Sequence, residues 1–465
     1  MASQQELRNT YVGKDVSDVP KPAIVLDQAI IRRHCKDMLR TVKALDVAFR
    51  AHVKSHKTNE IAEMQVADKD IPANFIASTV LEIETLVPLL KKLQAENRPV
   101  NVLYGIPLVP SQVNRLAKAA LAIGKGSVSV MIDHPDQIPH LERFSAITGF
   151  PALVFLKVDT GYHRAGLPPT ALNKGGLLER LAEAEKNGHA SLLGVYSHSS
   201  LSYSGTTPDQ AMAYLVSEIV GCKDALEHHL QLLTPGREEL VISVGATPQA
   251  LSSQNLAPEE GSSQSTQATE LREFLHKPLA KDIGVKVKVE IHAGVYPLLD
   301  MQQVSTNARW KSSGPEKEIA ISVLAEVCSV YNDGERAKPE ALLAAGTLAL
   351  GREPCPSYPG WGVISSWRQG DELRDSSSRL FVERISQEHS IVSWEGQKEK
   401  GRKVPFSIGQ VVKIFPNHAC VAAAFYAFYF VVDSDRDAGA GEIVDVWVRS
   451  RGSDVTQPAL LSRVQ

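Results

Sequence analysis

Between residue 44 and about residue 294, short apolar runs alternate with longer amphipathic stretches. The short runs predict eight strands, over 47–54, 73–79, 100–105, 127–132, 152–159, 192–198, 240–247 and 285–293. Several are apolar throughout rather than alternating, as expected of parallel strands covered on both faces. Apolar residues in Val113, Leu116, Ala120 and Ile123, and in Met212, Leu215, Ile219, Cys222 and Leu226, recur at spacings of three and four. Each series predicts a helix with one apolar stripe. Eight strand–helix units satisfy a (β/α)8 TIM-type barrel, whose active site lies at the C-terminal ends of its strands. An open doubly wound sheet satisfies the same periodicity.

After residue 296 the pattern changes. Strands are expected over 319–331, 381–392, 411–415 and 443–448, with Gly- and Pro-rich connections around 354–362. This reads as a mostly β second domain. The run 22–27 can join either part. The polar stretch 252–269, between the seventh and eighth strands, predicts a solvated, disordered insertion. The expected organisation is a barrel over 30–296 and a β-rich domain over 297–465, with 1–29 contributing to the second.

Composition narrows the function classes. An apolar share of 43% suits a globular chain with a large core, and a net charge of -3 favours neither nucleic acid nor an anionic membrane surface. The apolar stretch 421–432 is too short to span a bilayer. Residues 1–15 lack a charged-then-apolar leader pattern. A soluble, cytoplasmic protein is expected. Cys35, Cys222, Cys328, Cys355 and Cys420 are few, odd in number and widely spaced, which argues against a disulfide scaffold.

Candidate chemistry lies at the predicted strand ends. His52-Val53-Lys54-Ser55-His56-Lys57-Thr58 follows the first strand. A rim lysine there can condense with an aldehyde cofactor, although the same heptapeptide also reads as a basic, solvated loop. Ser243-Val244-Gly245-Ala246-Thr247 ends the seventh strand and His292-Ala293-Gly294-Val295-Tyr296 the eighth. Small residues let a phosphate approach backbone N–H groups, and Thr247 adds a hydroxyl; the seventh-strand segment can also be a plain turn. The fifth strand ends in Lys157-Val158-Asp159-Thr160-Gly161-Tyr162-His163-Arg164, where Arg164 and Asp159 can form a buried ion pair. Tyr196 and His198 end the sixth strand with Tyr203 nearby, and each can equally be a satisfied core residue. In Pro416-Asn417-His418-Ala419-Cys420, extended chain would turn His418 and Cys420 to one side. An imidazole and a thiolate suit zinc, and two protein ligands leave positions open, as in a catalytic site. An isolated His-x-Cys is a weak metal signal.

Taken together, these segments resemble the fold-type III pyridoxal-phosphate enzymes, the alanine-racemase-like group, from about residue 22 to 451. Within that group the chain is most similar to the eukaryotic D-serine dehydratases, with the D-threonine aldolases close behind. The resemblance implies pyridoxal 5'-phosphate on Lys54 as Schiff-base lysine and general base. It implies Arg164 at the cofactor's phenolic oxygen, and Tyr196, His198 and Tyr203 against the cofactor. It further implies Thr247, Gly294 and Val295 at the phosphate, and Zn2+ on His418 and Cys420. The group usually has Asn where Val295 stands, so only a backbone contact is expected there. The implied activity is a lyase reaction, β-elimination of D-serine to pyruvate and ammonia, in a homodimer. D-threonine aldolases resemble the metal site but carry an acidic residue where Cys420 stands. A racemase needs no metal, and a non-catalytic pyridoxal-phosphate carrier generally lacks the β domain.

Overall fold

The computed structural model describes residues 2–256, 265–278, 284–365, 378–396, 401–436 and 441–451. The chain divides into two compact units, one of Met1–His34, Val295–Asn307 and Lys311–Arg449, the other of Cys35–Gly294, Ala308–Trp310 and Ser450–Gln465. In chain order, strand β1 is Ala23–Asp27. Strands β2 to β9 are Ala48–His52, Ala73–Ala77, Val100–Pro107, Val128–Ile132, Ala152–Lys157, Ala190–Tyr196, Glu239–Val244 and Lys286–Ala293. Strands β10 to β17 are Ile321–Tyr331, Glu340–Leu343, Gly362–Ile364, Leu380–Ile385, Ser390–Trp394, Val411–Pro416, Phe428–Val432 and Asp445–Val448.

Strands β2 to β9 close into a parallel barrel in sequence order, so the open-sheet alternative is discarded. Closure pairs the first strand with the last, Phe49 opposite Ile291 and Ala51 opposite Ala293. The helix Val113–Ile123 buries Val113, Leu116, Ala120 and Ile123, the stripe that predicted it. Barrel closure demands one close approach. At Gly194, φ is +156° and an added Cβ would stand 1.9 Å from the carbonyl oxygen of Val241. Only glycine lets β7 lie this near β8.

The polar insertion is corrected at both ends. Ser253–Leu256 forms a helical turn, and Ser265 caps a helix over Thr266–His276 that buries Ala268, Leu271 and Leu275. The capping serine and that apolar stripe outweigh the polar composition. Residues 257–264 lie outside the described residues.

The other unit is built on a nine-stranded sheet, β11-β14-β13-β12-β15-β10-β1-β16-β17, in which β11 also pairs with β10. Val323, Leu343, Val382, Val392, Trp394 and Ile414 are among its core residues. The N-terminal strand β1 belongs to this unit, antiparallel to β10 and parallel to β16. The single strand expected over 381–392 is a hairpin of β13 and β14, closed by the bond from the Ser386 N–H to the His389 carbonyl. The apolar stretch 421–432 is split between a short helix, Ala419–Ala424, and β16. Among the described residues no helix is long and apolar enough to cross a membrane.

Candidate active site at the barrel rim

Below the rim, inward-facing polar side chains form one connected network. Arg50 Nε donates to Glu290 Oε1 at 2.7 Å, and its Nη1 donates to Asn101 Oδ1 at 2.7 Å. Ser129 Oγ donates to the same Asn101 oxygen at 2.8 Å. Arg50 and Glu290 are both buried, so each compensates the other's charge in a medium where neither could stand alone.

Above this network stand three imidazoles, His52 from β2 and His292 from β9, both buried, and His198 just past β7, half-buried. Burial, followed by the positive charge of Lys54, holds His52 far below its ordinary range and His198 at about 3. Burial and the neighbouring His198 do the same for His292. All three are neutral at physiological pH. Their partners set the tautomers. His198 Nδ1–H donates to the Gly245 carbonyl at 2.7 Å, leaving Nε2 bare. Ser243 Oγ donates to Glu290 at 2.8 Å and lies 3.2 Å from His292 Nδ1, so it accepts from that nitrogen. His292 Nε2 is then a buried lone pair with no hydrogen-bond partner among the described residues.

Cations accompany these neutral rings. Lys54, two residues past β2, is half-buried, and its N–H lies 3.3 Å from His52 Nδ1. Lys157 is buried over the Tyr196 ring at 5.6 Å, and burial lowers its pKa. Arg164 is exposed, stacked 5.3 Å from the Tyr162 ring, yet its charge acts on Tyr196 and His198. The Arg164–Asp159 pair is not formed. Asp159 instead holds His163, Nδ1 to Oδ2 at 2.9 Å, because the loop brings His163 and the N–H of Gly161 onto the carboxylate. Tyr196 is buried against His292, and Tyr203 is half-buried in the helical turn Leu201–Ser204.

Small residues leave room at the rim. An added Cβ at Gly294 would lie 3.2 Å from His52 Cβ, and one at Gly245, where φ is +131°, 2.7 Å from the His292 carbonyl oxygen. Thr247 is buried just beyond. Val295, also buried, spends its carbonyl on the N–H groups of Leu298 and Leu299. The rim of this unit thus gathers Lys54, Arg164, Tyr196, His198, Thr247 and Gly294. An orphaned acceptor, clustered cations and side-chain-free backbone fit a flat, anionic aldehyde such as pyridoxal phosphate.

His418 and Cys420 belong to the other unit, and their setting differs from the extended chain expected. His418 caps the helix Ala419–Ala424, and Cys420 lies in its first turn. The two still face one another electrically. Burial disfavours the His418 imidazolium, but Cys420, Asp300 and Glu353 outweigh it and raise the pKa to about 9. His418 Nδ1 is buried with no hydrogen bond among the described residues, and Glu353 Oε2, at 3.9 Å, is too far to supply one. Asp300, buried, accepts from the Ala419 N–H at 2.7 Å. The His418 imidazole and the Cys420 thiol offer two of the ligand types that zinc takes. Among the described residues no group of three or more His, Cys, Asp or Glu is disposed to hold a metal.

Sequence reasoning missed Glu218, Glu290, Asp300 and the inward role of His292. Glu218 had one signal: a carboxylate inside the apolar stripe of Leu215, Ile219 and Cys222.

The alanine racemase N-terminal domain family matches residues 26–256, and the serine dehydratase domain family matches residues 320–432. The chain is 31% identical over 454 residues to a D-serine dehydratase of Schizosaccharomyces pombe, covering 97% of this chain and 96% of that protein. It is 28% identical to the D-serine dehydratase of Saccharomyces cerevisiae, covering 95% and 98%. The solved D-threo-3-hydroxyaspartate dehydratase of Delftia sp. HT23 shares the fold, with a TM-score of 0.69, 23% identity and coverage of 94% and 100%. Solved forms of that enzyme include a histidine-to-alanine mutant and, two positions further on, a cysteine-to-alanine mutant in the metal-free form. With its barrel, its β domain and nearly full-length similarity to the yeast enzymes, the chain belongs to the D-serine dehydratase family.

Proposed function

We propose that this protein is a lyase that converts D-serine to pyruvate and ammonia with pyridoxal 5'-phosphate and zinc. The observation that carries the reading is the meeting of Lys54 with neutral His52, His198 and His292 at the C-terminal ends of the barrel strands. The yeast relatives supply the substrate. When bound, pyridoxal phosphate provides an electron sink for the charge left at the substrate's α-carbon. Zinc, when bound, provides Lewis acidity toward a leaving hydroxyl.

The chain's own groups have distinct tasks. Lys54 carries the cofactor and, once freed by substrate, takes the α-proton on its amine. Arg164 donates to the cofactor's phenolic oxygen and keeps it anionic. Tyr196, His198 and Tyr203 contact the cofactor and exclude water. Thr247 and the backbone at Gly294 and Val295 hold the phosphate. His418 and Cys420 hold the metal, in keeping with the histidine and cysteine altered in the Delftia enzyme. Cys420 favours elimination over the aldolase alternative, which expects a carboxylate at that position. A homodimer in the cytoplasm completes the reading.

Borohydride reduction of the cofactor-loaded protein, followed by peptide mapping, tests the assignment of Lys54. The reduced cofactor is expected on the peptide carrying Lys54, and its recovery on Lys57 or Lys157 instead would overturn it.

A further inference from the structure

Glu218 lies on the helix Pro208–His229 and points from its buried face, 1% exposed. A carboxylate there is costly unless hydrogen bonds compensate it. Burial raises it to about 7, against the opposing hydrogen bonds of Gly245 and Ser199 and the charge of Lys157. Its two oxygens divide between two loops. Oε2 accepts from the Gly245 N–H at 2.8 Å, and Oε1 accepts from the Ser199 N–H. Ser199 follows His198 on the loop after β7, and Gly245 begins the loop after β8. Gly245 is therefore held on both sides, its N–H by Glu218 and its carbonyl by His198 Nδ1–H at 2.7 Å.

We propose that Glu218 is a positioning residue of the reaction: it locks the two loops together so that His198 and the Gly245–Thr247 turn meet the cofactor in one arrangement. The inference rests on the reading of the rim as the cofactor site. Both oxygens accept in this geometry, so the lock is the ionised carboxylate's and is read above pH 7. The amide of a Glu218→Gln variant keeps the shape but turns an NH2 donor toward one of the two peptide N–H groups, releasing one loop. A Glu218→Ala variant releases both.

The test uses the full chain loaded with pyridoxal 5'-phosphate and reads cofactor affinity, the visible circular dichroism of the bound cofactor, and amide hydrogen exchange. In folded Glu218→Gln protein, loss of one charge-assisted bond is expected to weaken cofactor binding about tenfold or more. The dichroic band is expected to weaken, and exchange at Ser199 or Gly245 to accelerate. Wild-type affinity and dichroism in the folded variant would overturn the role of Glu218. If neither variant folds, exchange in the wild-type holoprotein decides: slow exchange at both amides supports the lock, and fast exchange at either overturns it. Failure of the underlying reading has a separate signature, since wild-type protein would then show no visible absorbance of a lysine-linked cofactor.

Discussion

Tyr196 and His292 lie ring on ring, with centroids 4.5 Å apart and planes 3° from parallel. They come from β7 and β9, while Ser243 of the intervening β8 holds His292 from behind. Three adjacent strand ends are thus fixed by one stack and one hydrogen-bond chain that runs back through Glu290 to Arg50. Stability of the barrel and arrangement of the rim depend on the same buried charges.

Replacement of Glu290 by Gln would leave the Arg50 guanidinium buried without its counter-charge. Breaking a buried pair from one side costs about 3–5 kcal/mol. Denaturant unfolding of the variant is expected to show a loss in that range. A loss under about 1 kcal/mol, the scale of an exposed pair, would contradict the compensation described.

Acid should destabilise the fold through its neutral histidines. His198 titrates at about 3 in the folded chain against 6.5 for a free imidazole. A depressed folded pKa means that the stability is present above pH 6.5 and lost as pH falls toward 3. Each refused proton costs about 1.4 kcal/mol per pH unit in that window. Glu218 runs the other way, since its pKa rises from 4.5 to about 7 and its contribution is lost as pH rises between those values. Unfolding free energies measured from pH 7 to pH 4 should fall less steeply in His198→Asn, by about one proton. An unchanged slope would show that His198 is not held neutral.

Gly194→Ala is expected to prevent folding, because the added Cβ would meet the Val241 carbonyl oxygen at 1.9 Å. The variant should be insoluble or fail to show a cooperative transition by circular dichroism. A stable, soluble variant would mean that β7 and β8 can separate without loss of the barrel.

Removal of either His418 or Cys420 should empty the proposed metal position, since two ligands leave no spare donor. Zinc content per chain, measured on purified His418→Ala and Cys420→Ala proteins, is expected to fall from near one to near zero. Full zinc content in both would place the metal elsewhere.

The barrel was legible because parallel strands buried on both faces write continuous apolar runs, and Lys54, Arg164 and His198 stand out as polar residues at the ends of such runs. Short elements were not. Strands β11 and β12, Glu340–Leu343 and Gly362–Ile364, are too brief to show a period. The β13–β14 turn, Ser386-Gln387-Glu388-His389, contains no Gly or Pro to announce it. Glu218 and Glu290 went unread because periodicity treats a charge within an apolar stripe as noise, whereas here each is satisfied by partners far along the chain. The helix at Ala419–Ala424 displaced the expected extended His-x-Cys because its alanines favour helix.

The central claim is tested most directly by pyruvate release from the purified protein, loaded with pyridoxal phosphate and zinc and incubated with D-serine. The expected result is steady pyruvate production that stops when zinc is chelated and is absent with L-serine. No pyruvate from the fully loaded protein would contradict the assignment.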